Sequence, residues 1–245
     1  MPGKFIRIYF VLLLFNLGCQ KKVTVGEVII PQKIDTVKSD VSFYLTTADR
    51  TSEFKKQNIP LNFSDNLSTQ GFTIEVNDVT TYQTMEGFGY TLTGGSASLI
   101  NSLDATIKEN LLKELFSTDG AGIGISYIRI SLGASDLSFV PYTYDDISPD
   151  KTDLNLASFS LDRERADLIP ILKKITEINP QIKILASPWS APLWMKTNGS
   201  FVGGKLKPEF YGVYADYFVR YIQAMKAEGI VIDAITPQNE PLHPG

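Results

Sequence analysis

Tyr127-Ile128-Arg129-Ile130-Ser131-Leu132-Gly133-Ala134-Ser135-Asp136 is the stretch that decides the fold. Ile128, Ile130 and Leu132 alternate with Arg129 and Ser131, and the run then breaks into a small-residue turn that carries an acid. Alternation with period two is the mark of a strand. Similar short apolar segments stand on either side of it, at Phe88 to Leu92, Ile182 to Ala186 and Ile230 to Thr236. Long amphipathic segments separate them. Asp104 caps one with Ile107, Leu111, Leu112 and Leu115 on a face, and Leu168, Leu172, Ile175 and Ile178 mark another that Pro180 stops. Pro208 opens a third, with Tyr211, Tyr214, Phe218, Tyr221 and Met225 on one stripe and Gly229 as its end signal. Strands that alternate with helices from Gly87 onward predict an α/β fold with a parallel sheet.

The repeat is that of a (β/α)8 TIM barrel, but a full barrel takes about 250 residues and fewer follow Gly87. The reading is therefore the first half of a barrel, about four βα units, in a truncated domain over 85–245. An open flavodoxin-like sheet is the alternative architecture. Half a barrel would expose sheet edges and apolar faces, so the 245-residue piece alone is expected to fold poorly and to be inactive. Before the barrel, residues 39–84 hold extended-looking pieces at Val41-Phe43-Leu45, Leu61-Phe63 and Phe72-Ile74-Val76, read as strands of a β-rich side domain.

The first residues read as an address. Lys4 and Arg7 precede an apolar run from Ile8 to Phe15, which is too short to cross a membrane comfortably. Asn16-Leu17-Gly18-Cys19 follows and contains the chain's one cysteine. The placement resembles a bacterial lipoprotein processing site, with residues 1–19 as signal peptide, Cys19 as the lipid attachment point and 20–38 as a polar linker. This predicts a protein exported across the inner membrane and lipid-anchored at the cell envelope or surface of a bacterium.

Composition removes several functions. With one His and one Cys, a zinc cluster, a disulfide framework or a Ser-His-Asp triad has too few members within the chain. A net charge of −4 and the lack of basic clusters argue against nucleic acid as a partner. The Gly87-Phe88-Gly89 turn lacks the third glycine of a dinucleotide fingerprint, because Leu92 stands in its place. Carboxylates, hydroxyls, Lys and Tyr are left to do chemistry, and no cofactor or metal is implied.

In a parallel α/β fold the chemistry gathers at the carboxyl ends of the strands. Arg129 inside an apolar strand calls for a carboxylate partner, and serves either the barrel mouth or structural pairing alone. Asp136 ends the same strand. The next strand ends in Ser187-Pro188-Trp189-Ser190-Ala191-Pro192-Leu193-Trp194-Met195, where Trp189 offers a face for a pyranose or fills a core. The last ends in Thr236-Pro237-Gln238-Asn239-Glu240-Pro241, and a carboxylate after Asn at a barrel strand end fits a general acid.

Taken in order, Glu86-Gly-Phe-Gly, Ile128-Arg-Ile-Ser with Ala134-Ser-Asp, Ala186-Ser-Pro-Trp-Ser-Ala-Pro-Leu-Trp-Met-Lys-Thr-Asn-Gly and Asn239-Glu-Pro resemble glycoside hydrolase family 30, including its glucosylceramidases. The resemblance runs from about Phe72 to Pro241 and is most specific in the block that ends at Gly199. It implies a retaining β-glycosidase built on a TIM barrel, with a β-rich side domain assembled from both chain ends. By the same resemblance Glu240 is the acid/base, Asn239 holds the sugar 2-hydroxyl, and Asp136 and Trp189 bind the sugar. The nucleophile would be a Glu on the seventh strand, outside this sequence. Some relatives carry Asp in the first loop, where this chain has Gly94. The implied partner is a β-linked glucoside such as glucosylceramide, with β-1,6-glucan as the alternative substrate. A non-catalytic sugar-binding lipoprotein that uses Trp189 and Asp136 is the reading from another class.

Overall fold

Strand β4, Tyr127–Leu132, is the element against which the second half of the chain is built. A computed structural model of the protein describes residues 38–65, 71–72, 74–119, 122–148 and 150–243. The expected signal peptide, Cys19 and nearly all of the expected linker lie outside the described residues. Two compact units are present, one ending at Val79 and one beginning at Thr80.

In the first unit, strands β1 (Tyr44–Leu45) and β2 (Lys55–Lys56) pair antiparallel, and Val41 bridges Leu61. Tyr44 and Phe54 stack with ring centroids 4.9 Å apart. The strand expected over Phe72, Ile74 and Val76 is not formed, and those three side chains stand in solvent. Alternating apolar residues make a strand only where a neighbour takes up their backbone groups, and among the described residues no strand lies alongside them.

The second unit contains a four-stranded parallel sheet in the order β3-β4-β5-β6, with β3 at Gly89–Leu92, β5 at Lys183–Pro188 and β6 at Ala234–Ile235. Neighbours in sequence are neighbours in the sheet, which is the order of successive barrel strands. β4 and β5 pair along their whole length, from Tyr127 opposite Lys183 to Leu132 opposite Pro188. The last strand is shorter than the expected Ile230 to Thr236. Its backbone nevertheless tracks β5, since Asp233 and Thr236 donate to the carbonyls of Ile184 and Ala186.

Gly89 shows why the Glu86-Gly-Phe-Gly segment needs its last glycine. β3 runs so close to β4 that a Cβ at Gly89 would land on the Tyr127 carbonyl, which is backbone and cannot swing away.

The helices are α1 (Gly94–Ser102), α2 (Ala105–Phe116), α3 (Leu168–Ile178) and α4 (Tyr211–Ala227). α1 falls where the sequence suggested a loop, and Thr93 caps it by accepting from the Ser96 N–H. Asp104 caps α2 as expected, accepting from the Thr106 N–H. The buried pair on α2 is Leu112 and Phe116, whereas Ile107 is exposed. Of the expected face, Leu112 is buried and Leu115 packs against the core, while Ile107 turns outward and Phe116, one turn beyond Leu112, is buried in addition. α3 buries Leu168, Ile169, Ile171, Leu172 and Ile175 and ends at Asn179, before Pro180. α4 buries Tyr214, Tyr217, Phe218, Tyr221 and Met225, while Tyr211 is exposed.

The excursion between β4 and α3 closes over this aromatic face. Tyr144 stacks on Tyr221 at 5.5 Å, and the Tyr217 hydroxyl accepts from the Tyr144 backbone N–H at 3.0 Å. Glu164, almost wholly buried, accepts from the hydroxyls of Tyr142 at 2.6 Å and Tyr144 at 2.8 Å. Desolvation pushes its carboxyl above the usual range despite those donors. Asp145, the residue after Tyr144, has no exposed surface, and neither of its carboxylate oxygens has a hydrogen-bond partner. Burial first, and then the charge of Asp153, push its pKa up to about 6, against a smaller opposing pull from the Trp194 indole.

Two outcomes follow from this packing. Gly89→Ala should lower stability by about 3 kcal/mol, read as a fall in the urea midpoint, because the β3 and β4 backbones must part. Asp145 binds its proton more tightly folded than unfolded, so its contribution is present below its ordinary pKa of 3.8 and is lost as pH rises toward about 6. Thermal melts from pH 4 to 8 should show Asp145→Asn gaining stability relative to wild type as pH rises; parallel curves would disprove the assignment.

Candidate active site

The parallel register sets the carboxyl ends of β4, β5 and β6 side by side, and the residues after each end line one cleft of about 840 Å³. Asp136, Trp189, Asn239 and Glu240 all line it. The structure thus gathers in one place four side chains spread over 105 positions of sequence, from 136 to 240.

Each is held by local chemistry. Gly133 leaves β4 at φ 84°, and the Ala134 N–H donates to the Tyr142 carbonyl. A tight turn then presents Asp136, with the Ser138 Oγ accepting from the Ser135 N–H and the Ser135 Oγ accepting from the Leu137 N–H. Trp189 follows Pro188, the last residue of β5, and is half-buried. Asn239 is tied to that same end, since its backbone N–H donates to the Pro188 carbonyl at 3.1 Å. One step earlier, Thr236 Oγ1 donates to Ser187 Oγ at 2.6 Å. Glu240 sits in a turn at φ 42°, where its carbonyl accepts from the His243 N–H. A left-handed backbone at a non-glycine residue costs about 1 kcal/mol and is characteristic of functional turns. The Glu240 side chain is exposed to the cleft.

Arg129 was expected to meet a carboxylate. It meets an amide instead: its Nη2 donates to Asn239 Oδ1 at 2.7 Å. Arg129 does not line the cleft and reaches the site only through Asn239. A guanidinium can only donate, so this bond fixes which way the amide faces and leaves Nδ2 as the donor on the other side. A charged strand residue is thereby satisfied while a neutral donor is oriented beside Glu240.

Two contributors escaped the sequence reading. Lys196, within the Ser-Pro-Trp block, is only 8% exposed and lines the cleft; burial lowers its pKa. Phe201 stacks near-parallel on Trp189, with ring centroids 6.1 Å apart. The apolar company of Lys196 in Leu193-Trp194-Met195-Lys196 was a readable signal, but nothing in the sequence marks Phe201 as reaching Trp189. A smaller cavity of about 260 Å³ between Gly94-Gly95 and Arg163-Glu164 contains none of the expected site residues. Among the described residues no group of three or more His, Cys, Asp or Glu side chains is placed to hold a metal.

Residues 85–244 match the glycosyl hydrolase family 30 TIM-barrel domain. An endo-1,6-beta-D-glucanase of Neurospora crassa is 39% identical over 181 residues, which are 72% of this chain and 37% of that protein. The lysosomal acid glucosylceramidase of Mus musculus is 34% identical over 183 residues, 72% of this chain and 35% of that one. Among solved structures, an endo-beta1,6-glucanase aligns with a TM-score of 0.73 at 42% identity, over 85% of this chain and 45% of the other. SrfJ from Salmonella typhimurium aligns with a TM-score of 0.72 at 30% identity, over 82% and 44%. The chain spans well under half the length of these relatives. With its parallel sheet and strand-end cleft inside the matched segment, the chain belongs to glycosyl hydrolase family 30.

Proposed function

We propose that the protein is a retaining β-glycoside hydrolase that cleaves β-glucosidic bonds, with Glu240 as its general acid/base. The observation that carries this reading is the Arg129 to Asn239 hydrogen bond, which orients an amide donor next to an exposed carboxyl at the end of a parallel strand. Asn239 Nδ2 would donate to the sugar 2-hydroxyl, Trp189 would stack on the pyranose face, and Asp136 would accept from sugar hydroxyls. Double displacement needs two carboxyls about 5 to 5.5 Å apart. Glu240 protonates the glycosidic oxygen as the second carboxylate attacks the anomeric carbon, and then takes a proton from the water that releases the sugar. We assign the nucleophile to a later strand, because four strands of an eight-stranded barrel are in place here.

Glucosylceramide and β-1,6-glucan are the substrate classes named by the two curated relatives described above. The higher identities, 39% and 42%, are with proteins named for β-1,6-glucan, against 34% for the glucosylceramidase. That favours a glycan as the second reading within the same mechanism. We also propose that residues 39–84 belong to a β-rich side domain. We propose, too, that the charged and apolar start with Cys19 directs export and lipid anchoring at a bacterial envelope or surface.

Two experiments test these assignments. In the full-length protein, Glu240→Gln should lose about 10²- to 10⁴-fold in kcat on an unactivated β-glucan or glucoside. It should lose far less on a dinitrophenyl β-glucoside, whose leaving group needs little protonation. Equal losses on both would remove the acid role, and sugar binding without turnover in the wild type would favour a binding protein. For the anchor, Cys19→Ala should move the protein from the membrane fraction to the soluble fraction; an unchanged distribution would refute lipidation at Cys19.

A further inference from the structure

Residues 196–206 form a short hairpin beside the cleft. Lys196 bridges Leu206, the Thr197 N–H donates to the Lys205 carbonyl at 2.8 Å, and the Lys207 N–H donates to the Met195 carbonyl at 2.9 Å. The turn closes through Gly203 and Gly204 at φ 62° and 72°, with Asn198 Nδ2 donating to the Val202 carbonyl. Phe201 rides on this hairpin. Its ring lies 12° from parallel to Trp189, and the centroids are 6.1 Å apart. Parallel rings packed face on face would have centroids about 3.5 to 4 Å apart, so these two are slid past one another and overlap only in part. Both rings are half-buried and both line the cleft that contains Asp136, Asn239 and Glu240.

Lys196 is the clamp. Its ammonium is buried and has no carboxylate within ion-pair distance among the described residues. It donates to the Phe201 carbonyl at 2.9 Å and to Ser190 Oγ at 3.1 Å, and that hydroxyl in turn donates to the Ala191 carbonyl. One cation thus ties the hairpin at Phe201 to the residue that follows Trp189. An ammonium buried without a counter-ion is costly, and a structural tie alone would be served by a neutral donor.

We propose that Trp189 and Phe201 form a stepped two-ring platform that binds a second sugar of a β-linked glucan, and that Lys196 is the positioning residue that sets the step. Lys205, Gln238 and His243 line the same cleft as the two rings. Flat apolar faces bordered by polar groups match a sugar, which presents C–H faces and hydroxyl edges, better than they match an alkyl chain. Phe201 is then specificity-determining: one ring meets the sugar that is cut, the other its neighbour. This rests on the glycosidase reading for its substrate class but not for its geometry.

The test uses the full-length protein and compares KM for a β-1,6-linked glucotriose with KM for an aryl β-monoglucoside. Phe201→Ala should raise the ratio of the two KM values about tenfold, equivalent to about 1.4 kcal/mol, with the smaller change in kcat. Phe201→Trp should keep the ratio low. Lys196→Met should raise it to the same extent, Lys196→Arg should restore it, and the Lys196→Met, Phe201→Ala double variant should be no worse than either single change. A ratio that Phe201→Ala does not move overturns the platform. A Lys196→Met loss that adds to the Phe201→Ala loss overturns the positioning role. If the wild type hydrolyses neither substrate, calorimetric titration with the glucotriose and with glucose decides. Triose binding that weakens on Phe201→Ala keeps the platform and removes the hydrolase, whereas no triose binding removes both.

Discussion

The parallel ladder between β4 and β5 is the constraint on which the site depends. Antiparallel strands would send alternate ends to opposite edges, whereas six consecutive residues paired in parallel, Tyr127–Leu132 against Lys183–Pro188, bring both carboxyl ends to one edge. The same ladder continues after β6, where Thr236 and Asn239 donate to Ala186 and Pro188. A slip of one residue would turn Arg129 from the Asn239 side of the sheet to the other and leave both side chains without a partner. The close approach at Gly89 extends the same register to β3.

Around this ladder the molecule places several charged groups wholly or partly out of water. Glu164 is satisfied by two tyrosine hydroxyls, Lys196 by a carbonyl and a hydroxyl, and Arg129 by an amide. In each case the hydrogen-bond partner named is a neutral oxygen or hydroxyl, not an opposite charge, and of the three ions Glu164 and Lys196 are buried while Arg129 is half-buried. Neutral partners do less to offset desolvation than ion pairs do, which is why the Glu164 carboxyl is pushed up and the Lys196 ammonium down. Asp145 goes furthest, with no partner for either oxygen. Lys196 lines the cleft and Arg129 reaches it through Asn239, whereas Glu164 ties down Tyr142 and Tyr144 in the excursion between β4 and α3.

The sequence made β4, α3 and the Asp104 cap legible because each is decided within a few residues: a period of two, a period near 3.6, a side-chain oxygen before a helix. It gave wrong or partial readings where a neighbour decides. Phe72, Ile74 and Val76 alternate like a strand but are not part of one and are exposed. On α2 the expected face held Ile107 and Leu112 alike, and only the surface beneath the helix decides that Leu112 is buried with Phe116 while Ile107 is exposed. Thr93-Gly94-Gly95-Ser96 looks like a loop, yet it is a capped helix start, because the glycines admit close packing and Leu137 approaches Gly95 there.

What the sequence determined by itself was the alternation of β3 to β6 with α2, α3 and α4, the family motifs and the candidate residues Asp136, Trp189, Asn239 and Glu240, since periodicity and short motifs are properties of a few adjacent side chains. What only the tertiary structure decided was who meets whom. That Arg129 finds the Asn239 amide across 110 positions, that Phe201 lies along Trp189, and that Lys196 binds the two segments together are consequences of strand register and loop path. Directional contacts made at 2.7 to 3.1 Å depend on where backbones pass in space, and no local pattern of residues carries that information.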